Sequence, residues 1–269
     1  MSGWRQLLLP DTAPLRLSRS FRLLWIGQLI SLSGSQLRLV ALPYQIFLLT
    51  GSSFAVGLIG VFQAVPLLLL SLFGGVIADA VDRRRLLLIT QVGLAGVSLM
   101  LAITTQAGLA SVPLLYVLTA AGACFSALDN PTRASLAPTL VDRSLIRAAM
   151  ALNQTIFQFA LVFGSALAGI IIARLGLAGA YWLDVVSFAA SFVAVWLMRA
   201  PPRVPAERRP VLGALVEGVR YLGATRILLA TMSLDFLGTF FGSPRALFPY
   251  YADRVFQSGQ RASASCTRR

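Results

Sequence analysis

Charged residues inside long apolar stretches are the side chains of this sequence that could do chemistry. Four of them stand out: Arg38, Asp129, Arg133 and Asp184. Their surroundings are apolar, since residues 39–78 and 86–128 carry no charge at all. A charge in such a place is costly, so it is expected to face a polar partner or a wet cavity.

The residue types that are missing exclude other chemistry. The sequence has no His, and all 23 of its basic residues are Arg. The phosphate-binding lysine of a nucleotide loop and histidine-based proton relays or metal sites are therefore excluded. Cys124 and Cys266 lie too far apart to suggest a pair or a metal knuckle. We predict no metal, no cofactor and no enzymatic activity.

The composition places these charges in a lipid bilayer. Of the 269 residues, 57% are hydrophobic and only 12% are charged, and the mean hydropathy is +0.77. Soluble domains have about 25% charged residues. A helix needs about 20 residues to cross the bilayer, so each uncharged stretch beside the charged residues 79–85 is too long for one crossing. The net charge of +13 lies mostly in short connectors, which argues against a nucleic-acid partner.

The apolar pattern predicts an all-α integral membrane protein with six spans. The spans are 21–49, 54–78, 86–105, 112–128, 148–173 and 181–198. We expect a cytoplasmic arm over 1–20, a six-helix bundle over 21–198 and a cytoplasmic linker with an amphipathic helix over 199–225. A seventh transmembrane helix over 226–251 and a polar tail over 252–269 complete the prediction.

The arginines indicate the orientation of the chain. They gather in the connectors 79–85, 142–147 and 199–209, whereas the outer turns between the first six spans hold only Arg174. Short cytoplasmic loops collect arginine, so the N-terminus is predicted to be cytoplasmic. A seventh span would put the arginines of 252–269 outside. Either that stretch does not cross, or the tail is not the native continuation.

Three motifs carry a family resemblance: 75–84 (GVIADAVDRR), 129–133 (DNPTR) and 41–45 (ALPYQ). Over about residues 15–256 the sequence resembles major facilitator superfamily transporters, in the branch of enterobactin exporters and macrolide-efflux proteins. The resemblance implies a fold of two six-helix halves, of which this chain has the N-terminal half plus a seventh helix, as if truncated. It departs from the family at Gly164-Ser165, where Gly-Pro is usual.

The resemblance also implies a conformational latch at the inner face. Its residues would be Gly75, Asp79, Arg83, Arg84, Asp129 and Arg133. Gly75 would allow close helix approach, and Asp79 and Arg83 would join Asp129 in a charge cluster that holds the outward-open state. The alternative is that the arginines only keep the loop on the cytoplasmic side.

Two polar stripes are candidates for a substrate pathway. On the first span they are Gln28, Ser31, Ser35, Arg38 and Gln45, and on the fifth Gln154 and Gln158, aligned with Ser165. Arg38 lies roughly 25 Å into its helix, too deep to reach the inner interface. It lines a cavity, pairs with Asp184 as a structural partner, or snorkels to the lipid surface. We expect Asp184 to occupy a solvated helix start.

The resemblance implies secondary-active, proton-linked efflux of a small molecule, such as a drug or siderophore, by alternating access across a bacterial-type inner membrane. Its partners would be the small-molecule substrate, protons and the lipid bilayer. The alternative is a non-transporting remnant, or a half-transporter that needs a second chain.

Overall fold

A computed structural model describes residues 12–80, 82–198, 223 and 225–242, with the backbone alone over 71–80, 239–242 and at positions 226 and 236. These residues are almost entirely helical and form no strand. The helices are α1 Ala13–Leu17, α2 Arg19–Thr50, α3 Ser53–Ala80, α4 Arg83–Gln106, α5 Val112–Leu136, α6 Ile146–Phe159, α7 Ser165–Leu197 and α8 Arg226–Gly242. Short 3-10 turns, Ala137–Leu140 and Arg143–Leu145, join α5 to α6, and a π-helical turn, Ala160–Gly164, joins α6 to α7.

Local sequence explains where the long helices begin and end. The Ser18 side chain accepts a hydrogen bond from the Phe21 amide and starts α2, and the Asp82 carboxylate accepts from two amides in the first turn of α4. At the other end of the bundle the chain turns at three glycines with positive φ: Gly51 (63°), Gly108 (69°) and Gly176 (73°). Glycine takes this left-handed conformation without a Cβ penalty.

Gly176 reverses the chain inside α7. Residues 146–175 run in the same direction as α2, as two contacts show: Trp25 with Leu152 and Gln36 with Ser165. Residues 177–197 run in the opposite direction, as two further contacts show: Gln45 with Tyr181 and Gly34 with Ser187. The predicted outer turn over 174–180 is therefore wrong in extent, because the reversal is confined to Gly176 and both flanks stay helical.

The part of the chain that the structure describes contains six helical segments that alternate in direction, and a further helix. Four stretches are long and apolar enough to cross a membrane: Ser53–Leu70, Arg83–Gln106, Val112–Leu140 and Arg143–Leu197. The last has 55 residues and supplies two segments, because it reverses at Gly176. The sixth is α2, which has 32 residues and carries more polar side chains. The predicted all-α membrane fold is confirmed.

The two ends of the bundle differ in their connectors. We call one the arginine-rich end, because it carries Arg83 to Arg85, Arg143 and Arg147, and the other the glycine end, after its three turns. Within the bundle α2 and α4 pack on α7, while α3 and α4 pack on α5. Helix α5 extends to Leu136, past the predicted end at 128, because the polar residues after that point are paired inside the bundle.

The core has two apolar clusters with a polar layer between them. The cluster near the glycine end includes Leu42, Leu101, Leu115 and Tyr181. The cluster near the arginine-rich end includes Phe21, Leu24, Leu87, Leu136 and Leu152. The polar layer consists of the buried or nearly buried residues Arg38, Thr90, Gln91, Ser98, Asp129, Arg133, Asp184, Ser187 and Ser191.

Several predicted regions fall outside the described residues. These are the arm before residue 12, the linker with its amphipathic helix, and the tail. Helix α8 covers Arg226–Gly242, within the predicted seventh span. The domain boundaries remain predictions.

Candidate functional site

Arg38 and Asp184 form an ion pair in the middle of the bundle. The Arg38 Nε lies 3.6 Å from the Asp184 Oδ2, and the side chains are 17% and 0% exposed. Ser98 of α4 joins them: its Oγ donates to Asp184 Oδ2 at 2.6 Å and accepts from Arg38 Nη1 at 3.4 Å. The pair therefore connects α2, α4 and α7.

Gly34 lets α2 and α7 approach closely beside this pair. A Cβ on Gly34 would lie 2.0 Å from the Ser187 Oγ and 2.9 Å from the Asp184 Oδ1. A Cβ on Gly122 of α5 would lie 3.6 Å from the Arg38 Nη1. The guanidinium also lies over the Phe188 ring, 5.7 Å from its centroid, at the distance of a cation–π contact.

The expectation that Asp184 occupies a solvated helix start is wrong. The side chain is fully buried, because residues 177–180 are already helical and carry Asp184 a full turn further into the bundle. There it faces Arg38 and Ser98 instead of water. Among the interpretations of Arg38, the structure shows its contact with Asp184, and the Arg38 side chain as a whole is 17% exposed.

A second buried pair lies nearer the arginine-rich end. The Arg133 Nε donates to Asp129 Oδ2 at 2.6 Å, four residues apart on α5. From α4, Thr90 and Gln91 donate to the other carboxylate oxygen, Oδ1, at 2.7 and 2.9 Å. A spacing of four residues in the sequence allows this pairing on one face of a helix, and the donors from α4 complete it.

Serines on α7 place the two pairs along one line. Ser187 donates to the Asp184 backbone oxygen at 2.7 Å. One helical turn later, Ser191 accepts from Arg133 Nη2 at 3.3 Å. Two buried carboxylates and two arginines thus lie along the buried face of α7. The sequence analysis did not identify these two serines, nor Ser98, Thr90 and Gln91. Their only signal in the sequence is that each is a polar residue within an apolar span.

The latch residues that the structure describes reach neighbouring backbone. Arg83 Nη1 donates to the Ser135 oxygen at 3.2 Å. Arg84 donates to the backbone oxygens of Val195, at 3.2 Å, and Trp196. These bonds join the start of α4 to the ends of α5 and α7. The side chain of Asp79 lies outside the described part, and Gly75 is described by its helical backbone alone.

The predicted stripe on the first span is divided by the packing. Ser31 and Gln45 are buried, while Gln28, Ser35 and Arg38 are half-buried. Gln45 uses both ends of its amide between helices, since Nε2 donates to Thr105 Oγ1 at 2.9 Å and Oε1 accepts from the Tyr181 hydroxyl at 2.8 Å. Gln45 therefore links α2 to α4 and α7 by hydrogen bonds, as polar side chains between membrane helices commonly do.

On the fifth span the predicted alignment with Ser165 is wrong. Gln154 and Gln158 are exposed, whereas Ser165 faces α2 and its Oγ lies 3.4 Å from the Gln36 Oε1. The π-helical turn Ala160–Gly164 explains the difference, because it changes the helical period between Gln158 and Ser165. A Cβ on Gly164 would lie 2.9 Å from Gln36, so this turn is pressed against α2.

Comparison with known proteins gives one consistent result. A family profile described as transmembrane secretion effector matches residues 10–261. The multidrug efflux pump Tap of Mycolicibacterium fortuitum is 26% identical, over 82% of this chain and 57% of that protein. The enterobactin exporter EntS of Shigella boydii serotype 18 and that of Escherichia coli O1:K1 / APEC are each 26% identical, over 93% of this chain and 60% of theirs. The chain spans about three fifths of the length of these curated relatives.

Proposed function

The chain belongs to the transmembrane secretion effector family of the major facilitator superfamily, and on that premise we propose that it exports a small molecule across the bacterial plasma membrane. It is a multi-pass membrane protein whose relatives are transporters named for multidrug and enterobactin efflux. The substrate is accordingly a drug-like or siderophore-like small molecule. The bundle provides one wall of the pathway and rocks as a unit during alternating access.

The buried Arg38–Asp184 pair is the observation that carries this proposal. Helices can pack in a bundle without an ion pair in its interior. Membrane proteins retain buried charges chiefly for transport or for helix association. Arg38 is the partner that a solute can reach, because it keeps some exposure while Asp184 has none. The half-buried Gln28 and Ser35 extend the polar surface along α2.

We further propose that transport is linked to protons and that Asp129 and Asp184 are the groups concerned. They are the buried carboxylates among the described side chains, and each is held by hydroxyl or amide donors as well as by an arginine. A carboxylate between such donors can exchange its arginine partner for a proton during a conformational change. Asp129, Arg133, Arg83 and Arg84 act in the latch of the arginine-rich end, together with Asp79 and Gly75.

A second candidate is a half-transporter that works with a second chain. The exposure of α3 favours it, since only 11% of Ser53–Leu70 is buried within the chain. Phe54, Val61, Val65 and Leu68 are exposed on it. These side chains contact lipid if the chain acts alone, and they contact a second six-helix bundle if it acts as a half-transporter.

Export by the chain itself is the central test. The full chain is reconstituted in vesicles with a proton gradient, and dye or siderophore movement is followed with and without the double substitution Arg38→Met and Asp184→Leu. This variant removes both charges while filling their volume, so it keeps the fold. We expect wild-type export and none from the variant, with the exposed Arg174→Gln as the matched control.

Each other result has a distinct meaning. Export by the double variant would show that the pair is structural only and would overturn the pathway role of Arg38. Absence of wild-type export, restored by co-expression of a second chain, would favour the half-transporter. Wild-type export that persists without a proton gradient would contradict proton linkage.

Orientation is tested by labelling single cysteines in a chain without Cys124 and Cys266. Positions Ser144, at the arginine-rich end, and Ser52, at the glycine end, are suited because they lie in connectors. We propose that Ser52→Cys reacts with an impermeant reagent from outside and Ser144→Cys only after lysis. The reverse pattern would contradict a cytoplasmic N-terminus.

A further inference from the structure

A cavity at the arginine-rich end has no role in the transport proposal. It has a volume of about 560 Å³ and lies between the start of α2 and the turns that connect α5 to α6. Its polar lining includes Arg19, Ser20, Thr139 and Asp142. Leu23 and Leu197 contribute to its apolar side. Its size is that of a site for a small molecule or a headgroup.

The walls of this cavity are held by hydrogen bonds within the chain. The Ser18 Oγ donates to the Leu140 oxygen at 2.7 Å and accepts from the Phe21 amide at 3.2 Å. Thr139 Oγ1 donates to the Leu136 oxygen at 2.7 Å. The start of α2 is thereby fixed to the turn Ala137–Leu140, so the cavity is formed before any ligand enters.

Two side chains of opposite charge line the cavity without forming an ion pair with each other. Arg19 and Asp142 are both exposed, and neither forms an ion pair with any side chain in the described ranges. A ligand that carries one negative and one positive group can satisfy both. Phosphoethanolamine has that pattern, because its phosphate accepts from a guanidinium and its ammonium donates to a carboxylate.

We propose that this cavity binds the phosphoethanolamine headgroup of a membrane phospholipid. The phosphate lies at Arg19 and the ammonium at Asp142, with Ser20 and Thr139 as neutral partners. A phosphoglycerol headgroup lacks the cation, so the Asp142 carboxylate would have no positive partner and would repel the phosphate. A phosphocholine headgroup has the cation but no N–H to donate to the carboxylate.

The apolar side of the cavity indicates a lipid as the source rather than a soluble zwitterion. Leu23 and Leu197 line it, and Leu17 on its rim is 73% exposed. Trp196, 60% exposed, is the neighbour of Leu197. Tryptophan at a helix end is typical of the membrane interface, so the glycerol and first methylenes can lie along these side chains.

The test compares lipids bound to the purified full chain in nanodiscs of phosphatidylethanolamine, phosphatidylcholine or phosphatidylglycerol. Native mass spectrometry counts the lipids retained after delipidation. We expect about tenfold stronger retention of phosphatidylethanolamine, and about a tenfold loss for Arg19→Gln and for Asp142→Asn, since each removes one charge-assisted contact. Arg143→Gln, an exposed neighbour that does not line the cavity, should change nothing.

Three results would overturn the proposal. They are equal retention of the three lipids by the wild type, stronger retention of phosphatidylglycerol, and losses in Arg19→Gln and Asp142→Asn no larger than in Arg143→Gln. Displacement of the lipid by soluble phosphoethanolamine at equal concentration would overturn the lipid as the source. If the variants lose helical circular dichroism, the wild-type lipid comparison decides alone. None of these measurements depends on transport.

Discussion

The two buried ion pairs of the polar layer are built in different ways. Asp129 and Arg133 are four residues apart on one helix, with a contact of 2.6 Å, and both are nearly buried. Arg38 and Asp184 come from α2 and α7 and meet at 3.6 Å, with Arg38 partly exposed. The first pair forms as soon as α5 forms, whereas the second requires the assembled bundle. The cross-helix pair therefore reports on tertiary packing and the local pair on one helix.

The largest effect is expected where the cross-helix pair loses its cation. Arg38→Ala leaves a fully buried carboxylate without its charge partner, which costs about 3–5 kcal/mol of folding free energy. Denaturant titration in detergent, followed by helical circular dichroism, measures it. The double variant Arg38→Met, Asp184→Leu should recover most of this loss. A double variant as unstable as Arg38→Ala would contradict the unpaired Asp184 carboxylate as the cause of the loss.

Gly34→Ala tests whether the cross-helix pair depends on close approach of α2 and α7. The new Cβ would meet Ser187 at 2.0 Å from its Oγ and 2.6 Å from its Cβ, so the helices must separate at a cost of about 1–3 kcal/mol. Gly57→Ala on α3 is the matched control, because nothing lies within 4 Å of its Cβ. The control should gain about 0.5–1 kcal/mol from helix propensity. Equal changes in the two variants would contradict close packing at Gly34.

Thr90→Val tests how far the local pair is supported by α4. It removes the donor at 2.7 Å from Asp129 Oδ1, while Gln91 and Arg133 remain bonded. We expect a loss of about 1–2 kcal/mol in the same titration, smaller than for Arg38→Ala. Loss of the folded state would show that the Asp129–Arg133 pair depends on α4 for its stability and is not maintained by α5 alone.

Ser191→Ala should give the smallest change and tests the link between the pairs. It removes the acceptor at 3.3 Å from Arg133 Nη2, at a cost of about 0.5–1.5 kcal/mol. Combined with Ser187→Ala in a double-mutant cycle, it measures coupling along α7. Strictly additive losses would show that the two pairs are energetically independent.

The sequence predicted the elements better than their mutual rotation. Uncharged stretches and the arginine clusters located six segments, because burial in lipid fixes length and composition. The spacing of Asp129 and Arg133 predicted their contact, since it depends on one helix. The outcome at Asp184 could not be obtained this way, because the single-residue reversal at Gly176 sets how deep the side chain lies.

Other features depend on relations between distant segments. Ser98, Thr90 and Gln91 could be seen only as polar residues in an apolar span until α4 was placed against α5 and α7. The π-helical turn Ala160–Gly164 also has no simple sequence signal, and it separated Ser165 from the glutamines with which it was grouped. The partner of a membrane-buried polar side chain is a property of the assembled helices.

The polar layer between the two apolar clusters has a mechanical consequence. Its hydrogen bonds connect α2, α4, α5 and α7 at neighbouring levels. Rotation of any of these helices about its axis would therefore leave a buried donor or acceptor without its partner. Sliding would be penalised in the same manner. The four helices therefore move together, and shape changes within the bundle are left to α3, of which only 11% of Ser53–Leu70 is buried.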